Sequence, residues 1–137
     1  MRKVRYFTEI KGKGMIYKIT PVGKPRMTRS DKWKKRPRVL RYWDFKDEVR
    51  RLGITIPESG SHIVFTLEMP KSWSRAKKEL MDGKPHQTKP DKDNLEKALL
   101  DAIFEKDEHI WDSRVTKVWG YEPSIQILII KEKGTGL

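Results

Sequence analysis

Asp91 and Asp93 stand two residues apart, directly before Asn94 and an apolar-patterned run. In extended backbone, residues i and i+2 project to the same side, so both carboxylates are expected to face one point at a helix start. The positive end of the helix dipole favours their ionised form. With a third carboxylate from elsewhere they would make an oxygen-rich site suited to magnesium or manganese. Lys97 and Asp101 follow Asp93 at steps of four on one helical face, and Asp112 opens the next predicted strand. The same residues also fit a structural role. Asp-x-Asp-Asn is a good capping sequence, and Asp93–Lys97–Asp101 is an ordinary run of i,i+4 ion pairs. Spacing alone leaves both readings open.

The charge distribution bears on the choice. Residues 1–51 hold 18 Lys/Arg against 5 Asp/Glu, a net of +13, whereas residues 52–137 hold 13 against 14, a net of −1. All of the excess positive charge therefore lies in the first third, the footprint of a polyanion binder; a basic surface kept for solubility is the plainer alternative. Carboxylates that can hold a metal, beside a strongly basic segment, are what phosphodiester hydrolysis requires. Cations grip the backbone while metal ions activate a water and stabilise the departing oxygen. Cysteine is absent, which excludes disulfides and thiolate-bound zinc, and His62, His86 and His109 are too scattered for a His-rich metal site. The longest apolar run, Ile125–Ile130, is far short of a membrane helix, and the basic N-terminus is followed by no apolar core or cleavage site. No membrane association and a cytoplasmic location are expected.

These residues need elements to position them. The chain has no internal repeat or low-complexity linker and reads as one domain over 1–137. Residues 15–20 read as a first strand, with Val4–Ile10 a candidate lead-in. Residues 24–41, with two prolines and few apolar positions, are expected to form a basic DNA-binding loop. Tyr42–Leu52 reads as a helix capped by Gly53, and HIVFTLEM as a strand. Ser74–Leu80 is a short helix with Ser74 as its cap. Asn94 is expected to cap the clearest helix, which runs to about Phe104. There Leu95, Ala98, Leu99, Ala102 and Ile103 share one face. Val115–Tyr121 and Ile125–Lys131 read as two strands turning at Glu122–Ser124, a hairpin by their closeness. The fold class is α/β (α+β): a mixed sheet of four or five strands packed by helices, with a split β-α-β arrangement fitting the element order.

The stretch KPDKDNLEKALLDAIF followed by IWDSRV, within a catalytic segment of about 89–115, closely resembles the signature of the RusA family of Holliday-junction resolvases. The likeness reaches back through Gly23–Arg26 and Met69–Ser74. It implies a structure-selective DNA endonuclease that resolves four-way junctions by paired symmetric nicks in recombination and repair, and a phage-borne origin is consistent with it. It implies Asp91, Asp93 and Asp112 as ligands of a catalytic Mg2+, for which Mn2+ substitutes, with Lys97 assisting and Asp101 just behind them. Many members carry an acid where Trp111 stands here. A junction has approximate two-fold symmetry, so matched nicks imply a homodimer on branched DNA. Lys24, Arg26, Arg29, Lys34, Lys35, Arg36, Arg38 and Lys71 are the expected backbone contacts, extended by Lys77 and Lys78, with Trp33 and Trp73 available to stack on bases. Three rival readings remain: a non-catalytic basic nucleic-acid-binding protein, a flap or fork nuclease with the same metal chemistry, and a junction binder that has lost activity, to which Trp111 points.

Overall fold

Residues 14–26, 36–57 and 59–130 are described by a computed structural model. Seven elements follow in order: β1 (Met15–Tyr17), α1 (Pro37–Leu52), β2 (Ser59–Glu68), α2 (Arg75–Met81), α3 (Lys92–Ile103), β3 (Asp112–Gly120) and β4 (Ser124–Ile129). The four strands form one mixed sheet in the order β1-β4-β2-β3. The fold is thus the expected α+β arrangement, with four strands in the sheet. The lead-in at Val4–Ile10 lies outside the described residues.

β4 runs antiparallel to both β1 and β2, whereas β2 and β3 are parallel. β1 and β2 are therefore parallel with β4 inserted between them, which makes β1-α1-β2 a split β-α-β unit. The hairpin expected between the last two strands does not form. β2 lies between them, because it is apolar on both faces. Ile63 and Phe65 are fully buried on one side and Val64 on the other, so β2 takes a neighbour at each edge. The link at Tyr121–Pro123 carries the chain past the end of β2, where the Met69 N–H donates to the Gly120 carbonyl at 3.0 Å.

α1 begins at Pro37, five residues before the expected start. Proline at the first helical position is a starter rather than a breaker, and Val39, within the stretch read as loop, is fully buried. Val39, Tyr42, Phe45 and Val49 form the buried stripe. At the far end Gly53 takes φ 68°, as a left-handed cap requires, and its N–H donates to the Arg50 carbonyl. α2 is capped as expected, with Ser74 Oγ accepting from the Lys77 N–H at 3.1 Å.

α1 and α3 cover one face of the sheet. Tyr42, Phe45 and Val49 meet Leu95, Ala98, Leu99 and Ala102 over Ile63, Phe65, Ile125 and Ile127. This interlocked core fixes where α3 begins relative to the sheet, and so where the aspartates stand. A smaller cluster of Val64, Val118 and Leu128 occupies the other face. Among the described residues no helix is long and apolar enough to cross a membrane.

Candidate active site

α3 starts at Lys92, with Asp91 rather than Asn94 as its N-cap. Asp91 is extended (φ −67°, ψ 148°), and Asp93 falls in the first helical turn. The side chain of Asp91 makes no capping hydrogen bond. Its carboxylate is exposed, as is that of Asp93. An N-cap aspartate usually accepts from an N–H of the first turn; here that acceptor is left for something else. The capping role does not account for Asp91.

Several contacts hold this turn in place. Lys117 Nζ, from the middle of β3, donates to the Pro90 carbonyl at 2.7 Å and also to that of Thr88. Burial lowers the Lys117 pKa below its usual 10.5, while the charge of Asp91 acts to raise it. On the other side the Lys24 N–H donates to the Asn94 carbonyl at 3.0 Å. Gly23 permits that approach, since a Cβ there would sit 3.0 Å from Pro90 Cβ. The Lys89–Pro90 peptide is cis.

Beside the turn lies a cleft of about 590 Å³, lined by Lys24, Arg38, Arg41 and Lys89 with Asp91 and Asn94 among its walls. Four cations thus share a cleft with an uncommitted carboxylate at a helix N-terminus. Lys24 is itself anchored, its Nζ 2.7 Å from Asp101 Oδ2. Tyr42 Oη donates to the same oxygen at 3.0 Å. Partial burial pushes the Asp101 carboxyl up, but the hydrogen bonds from Lys24 and Tyr42 outweigh it and hold the group below its usual 3.8. Burial, then the Asp101 hydrogen bond, pushes the Tyr42 hydroxyl well above its usual 10.0. Asp101 therefore ties α3 to α1 and to the segment carrying Lys24. Among the described residues Lys97 forms no salt bridge to Asp93 or Asp101, so the plain structural alternative of an i,i+4 ion-pair run is not what these residues form.

Asp112 opens β3 as expected, but it stands apart from the pair on α3. Ser113, Val115 and Lys117 face the helices: Ser113 Oγ donates to Glu96 Oε2 at 2.5 Å, Val115 packs on the core, and Lys117 reaches Pro90. Alternation along the strand turns Asp112 to the other side. There a Cβ on Gly60 would meet Asp112 Oδ2 at 3.1 Å, and Gly60 itself has φ 82°. From Asp112 to Lys117 is roughly 16 Å of strand. Among the described residues no three His, Asp or Glu side chains are grouped closely enough to hold a metal ion.

Of the expected DNA contacts, Lys24 and Arg38 line the cleft, and Arg36 Nη2 donates to the Arg26 carbonyl at 3.1 Å. Arg29, Lys34 and Lys35, with Trp33, lie outside the described residues. Lys71 is exposed in the turn before α2. Trp73 packs on Trp119 with centroids 4.8 Å apart, and Lys77 Nζ lies 4.3 Å from the Trp73 ring. Trp111 is 73% exposed. Arg41, Lys89, Glu96 and Lys117 were not among the expected site residues. Lys89 and Glu96 lay inside the signature segment and could have been found by proximity. Lys117 could have been found by counting alternation from Val115.

Hard oxygen donors at a positive helix end suit a divalent cation in chemistry, and Mg2+ is often held by only one or two carboxylates with substrate phosphate completing the shell. Asp91, at the cleft wall, is one such carboxylate; Asp93 lies inside the helix, so the extended backbone expected to turn both carboxylates to one point is not present there. The family model for the RusA endodeoxyribonucleases matches residues 18–130 of the chain. The chain belongs to the RusA endodeoxyribonuclease family. The match begins just after β1, runs through β4 and takes in the cleft, the α3 N-terminus and β3. As a RusA-family protein it is a nuclease that cuts within DNA chains. No curated protein matches the chain.

Proposed function

We propose that this RusA-family chain resolves four-way DNA junctions by paired, symmetric, divalent-metal-dependent nicks. The observation that carries the reading is the N-cap carboxylate of Asp91, unused by its own helix and facing a cleft of four cations. In this reading Lys24, Arg38, Arg41 and Lys89 hold the phosphate backbone and keep it within reach of the α3 N-terminus. Asp91 and Asp93 would hold Mg2+, or Mn2+ in its place; Asp112 would serve as the third donor only once the start of β3 turns it toward them. When bound, the metal lowers the pKa of a water and offsets charge on the departing oxygen.

The reaction is hydrolysis of a phosphodiester. Water oxygen bonds to phosphorus, the bond to the 3′ oxygen breaks, and the products are a 3′-hydroxyl and a 5′-phosphate. Lys97, exposed one turn along α3 from Asp93, orients the attacking water or offsets charge on the phosphorane. Asp101 acts further back, by fixing Lys24 at the cleft wall. A junction's two-fold symmetry favours a homodimer with two matched sites. A cytoplasmic location goes with this reading, since recombining DNA of cell or phage is found there.

The test is a labelled mobile four-way junction incubated in Mg2+ or in EDTA, alongside Asp93→Asn and a linear duplex. Symmetric, ligatable nicks in Mg2+ alone, missing from the variant and the duplex, are expected. Tight junction binding without cutting under any divalent metal would leave a nucleic-acid-binding protein. Preferential cutting of flaps or forks would reassign the substrate and keep the chemistry.

A further inference from the structure

A second pocket, of about 320 Å³, adjoins the cationic cleft and shares Thr20, Pro21 and Lys89 with it. The lining differs in kind. Leu67, Trp119 and His86 make the walls, with Glu68 and Thr88 as the polar groups. His86 and Trp73 both lie against Trp119, with centroids 4.1 and 4.8 Å away. The indole is thereby held between two rings. His86 is 5% exposed and its Nδ1 has no hydrogen-bond partner. Burial, and then the nearby Lys117 ammonium, hold its pKa below the usual 6.5, so the ring is neutral at physiological pH.

A pocket walled by aromatic rings, against a cleft of four cations, matches the two halves of a nucleotide. Phosphate belongs with Lys24, Arg38, Arg41 and Lys89; a flat, uncharged, partly apolar group belongs beside Trp119. Their shared wall makes the two sites neighbours, as base and phosphate are along one strand. Glu68, the last residue of β2 and exposed, is an acceptor when ionised and calls for a donor on the base edge. Cytosine, adenine and guanine carry an exocyclic amino group; thymine presents carbonyl oxygens and a methyl.

We propose that this pocket takes one unstacked nucleobase of the strand whose phosphates lie in the cleft, and that Glu68 selects bases bearing an exocyclic amine. Unstacking costs least near a branch point, where stacking is already interrupted. The pocket would therefore give a junction nuclease a preference for sequence as well as for shape. The proposal rests on the chain acting on DNA as set out above, and it makes Glu68 a specificity-determining residue.

The experiment has two arms on the full-length protein. In the first, nicks are mapped in Mg2+ along a junction whose branch point migrates through all dinucleotides, for wild type and Glu68→Gln. Wild-type nicks are expected beside cytosine, adenine or guanine in preference to thymine. Because a glutamine amide both donates and accepts, the variant should cut thymine sites several-fold more often relative to the other sites. In the second, junction affinity is measured in Ca2+ with single abasic positions placed around the branch point. One position should lose about tenfold or more, the size of one lost base–aromatic contact. Nicks without base bias, or a bias that Glu68→Gln leaves unaltered, would overturn the pocket while leaving the nuclease standing. Absence of cutting together with a position-specific abasic loss would overturn the nuclease and leave the pocket. No abasic position weakening binding would overturn the base site.

Discussion

Ser113 Oγ donates to Glu96 Oε2 at 2.5 Å, joining the start of β3 to the second turn of α3. Asp112 precedes the donor, and Asp93 lies one helical turn before the acceptor. The bond is thus the short link between the two stretches of chain that carry the aspartates. It is part-buried and one partner is charged when Glu96 is ionised, which puts it at the stronger end of side-chain hydrogen bonds. Ser113→Ala should cost about 1–2 kcal/mol in urea unfolding. A double-mutant cycle with Glu96→Gln should show a coupling of at least about 0.5 kcal/mol. Additive effects would mean that the two side chains do not act on each other.

Asp91 gives a second expectation, because its carboxylate caps nothing. Replacing an ordinary N-cap aspartate with alanine costs about 1 kcal/mol. Asp91→Ala should cost well under that in urea, yet abolish nicking. A full capping penalty with nicking retained would return Asp91 to a purely structural role.

Metal binding to the folded chain alone would raise its stability. Mg2+ at millimolar concentration should raise the Tm of wild type and of Lys97→Met, but not that of the Asp91→Asn/Asp93→Asn pair. The single variant Asp112→Asn should keep part of the shift if the α3 pair binds first and Asp112 closes on the metal later. Equal shifts in wild type and the double variant would count against a metal site at α3.

His86 is a pH-dependent liability. Its folded pKa lies below the usual 6.5, so below pH 6.5 the unfolded chain takes up a proton that the folded chain does not. Stability from this group is complete above the unfolded value and is lost as pH falls through it toward the folded value. The slope cannot exceed about 1.4 kcal/mol per pH unit for one proton. His86→Phe, which keeps a ring against Trp119, should flatten the fall in Tm between about pH 7 and 5. An unchanged profile would place the acid sensitivity elsewhere.

Binding in the cleft should be read in salt. Each phosphate contact adds about 0.9 to the slope of log K against log salt on duplex arms. Arg41→Ala and Lys89→Ala should each flatten that slope by about one. Lys71→Ala, outside the cleft, is the comparison that tells whether DNA extends to the turn before α2.

The local pattern of the sequence carried the buried faces of α1 and α3, both helix caps at Gly53 and Ser74, and the segment holding the aspartates. Each depends on neighbours within a turn or two of chain. Pro37 was misread because proline has opposite effects at the start and in the middle of a helix, and only the burial of Val39 shows which applies. The hairpin failed for a non-local reason. Adjacent runs of β-pattern say nothing about whether a third strand will come between them, and β2 does so because both its faces need cover. The capping role of Asn94 failed by three residues, yet that small shift moved Asp93 into the helix. The placement of Asp112 away from the α3 pair follows from the side to which β3 turns its odd-numbered residues. That parity is set by packing Val115 on the core, not by anything near Asp112.

β4, the last of the described elements, is hydrogen-bonded on both sides, to β1 and to β2. Until residues 124–129 are in place, β1 has no partner strand among the described residues and the floor beneath α1 lacks Ile125 and Ile127. Before β4 is in place, β2, β3 and the helices between them can already pair and pack, while the described sheet stays incomplete. The cationic cleft, walled by the residues that follow β1, would be among the last features to take shape, so a chain cut short before β4 would carry the acidic turn without the grip that serves it.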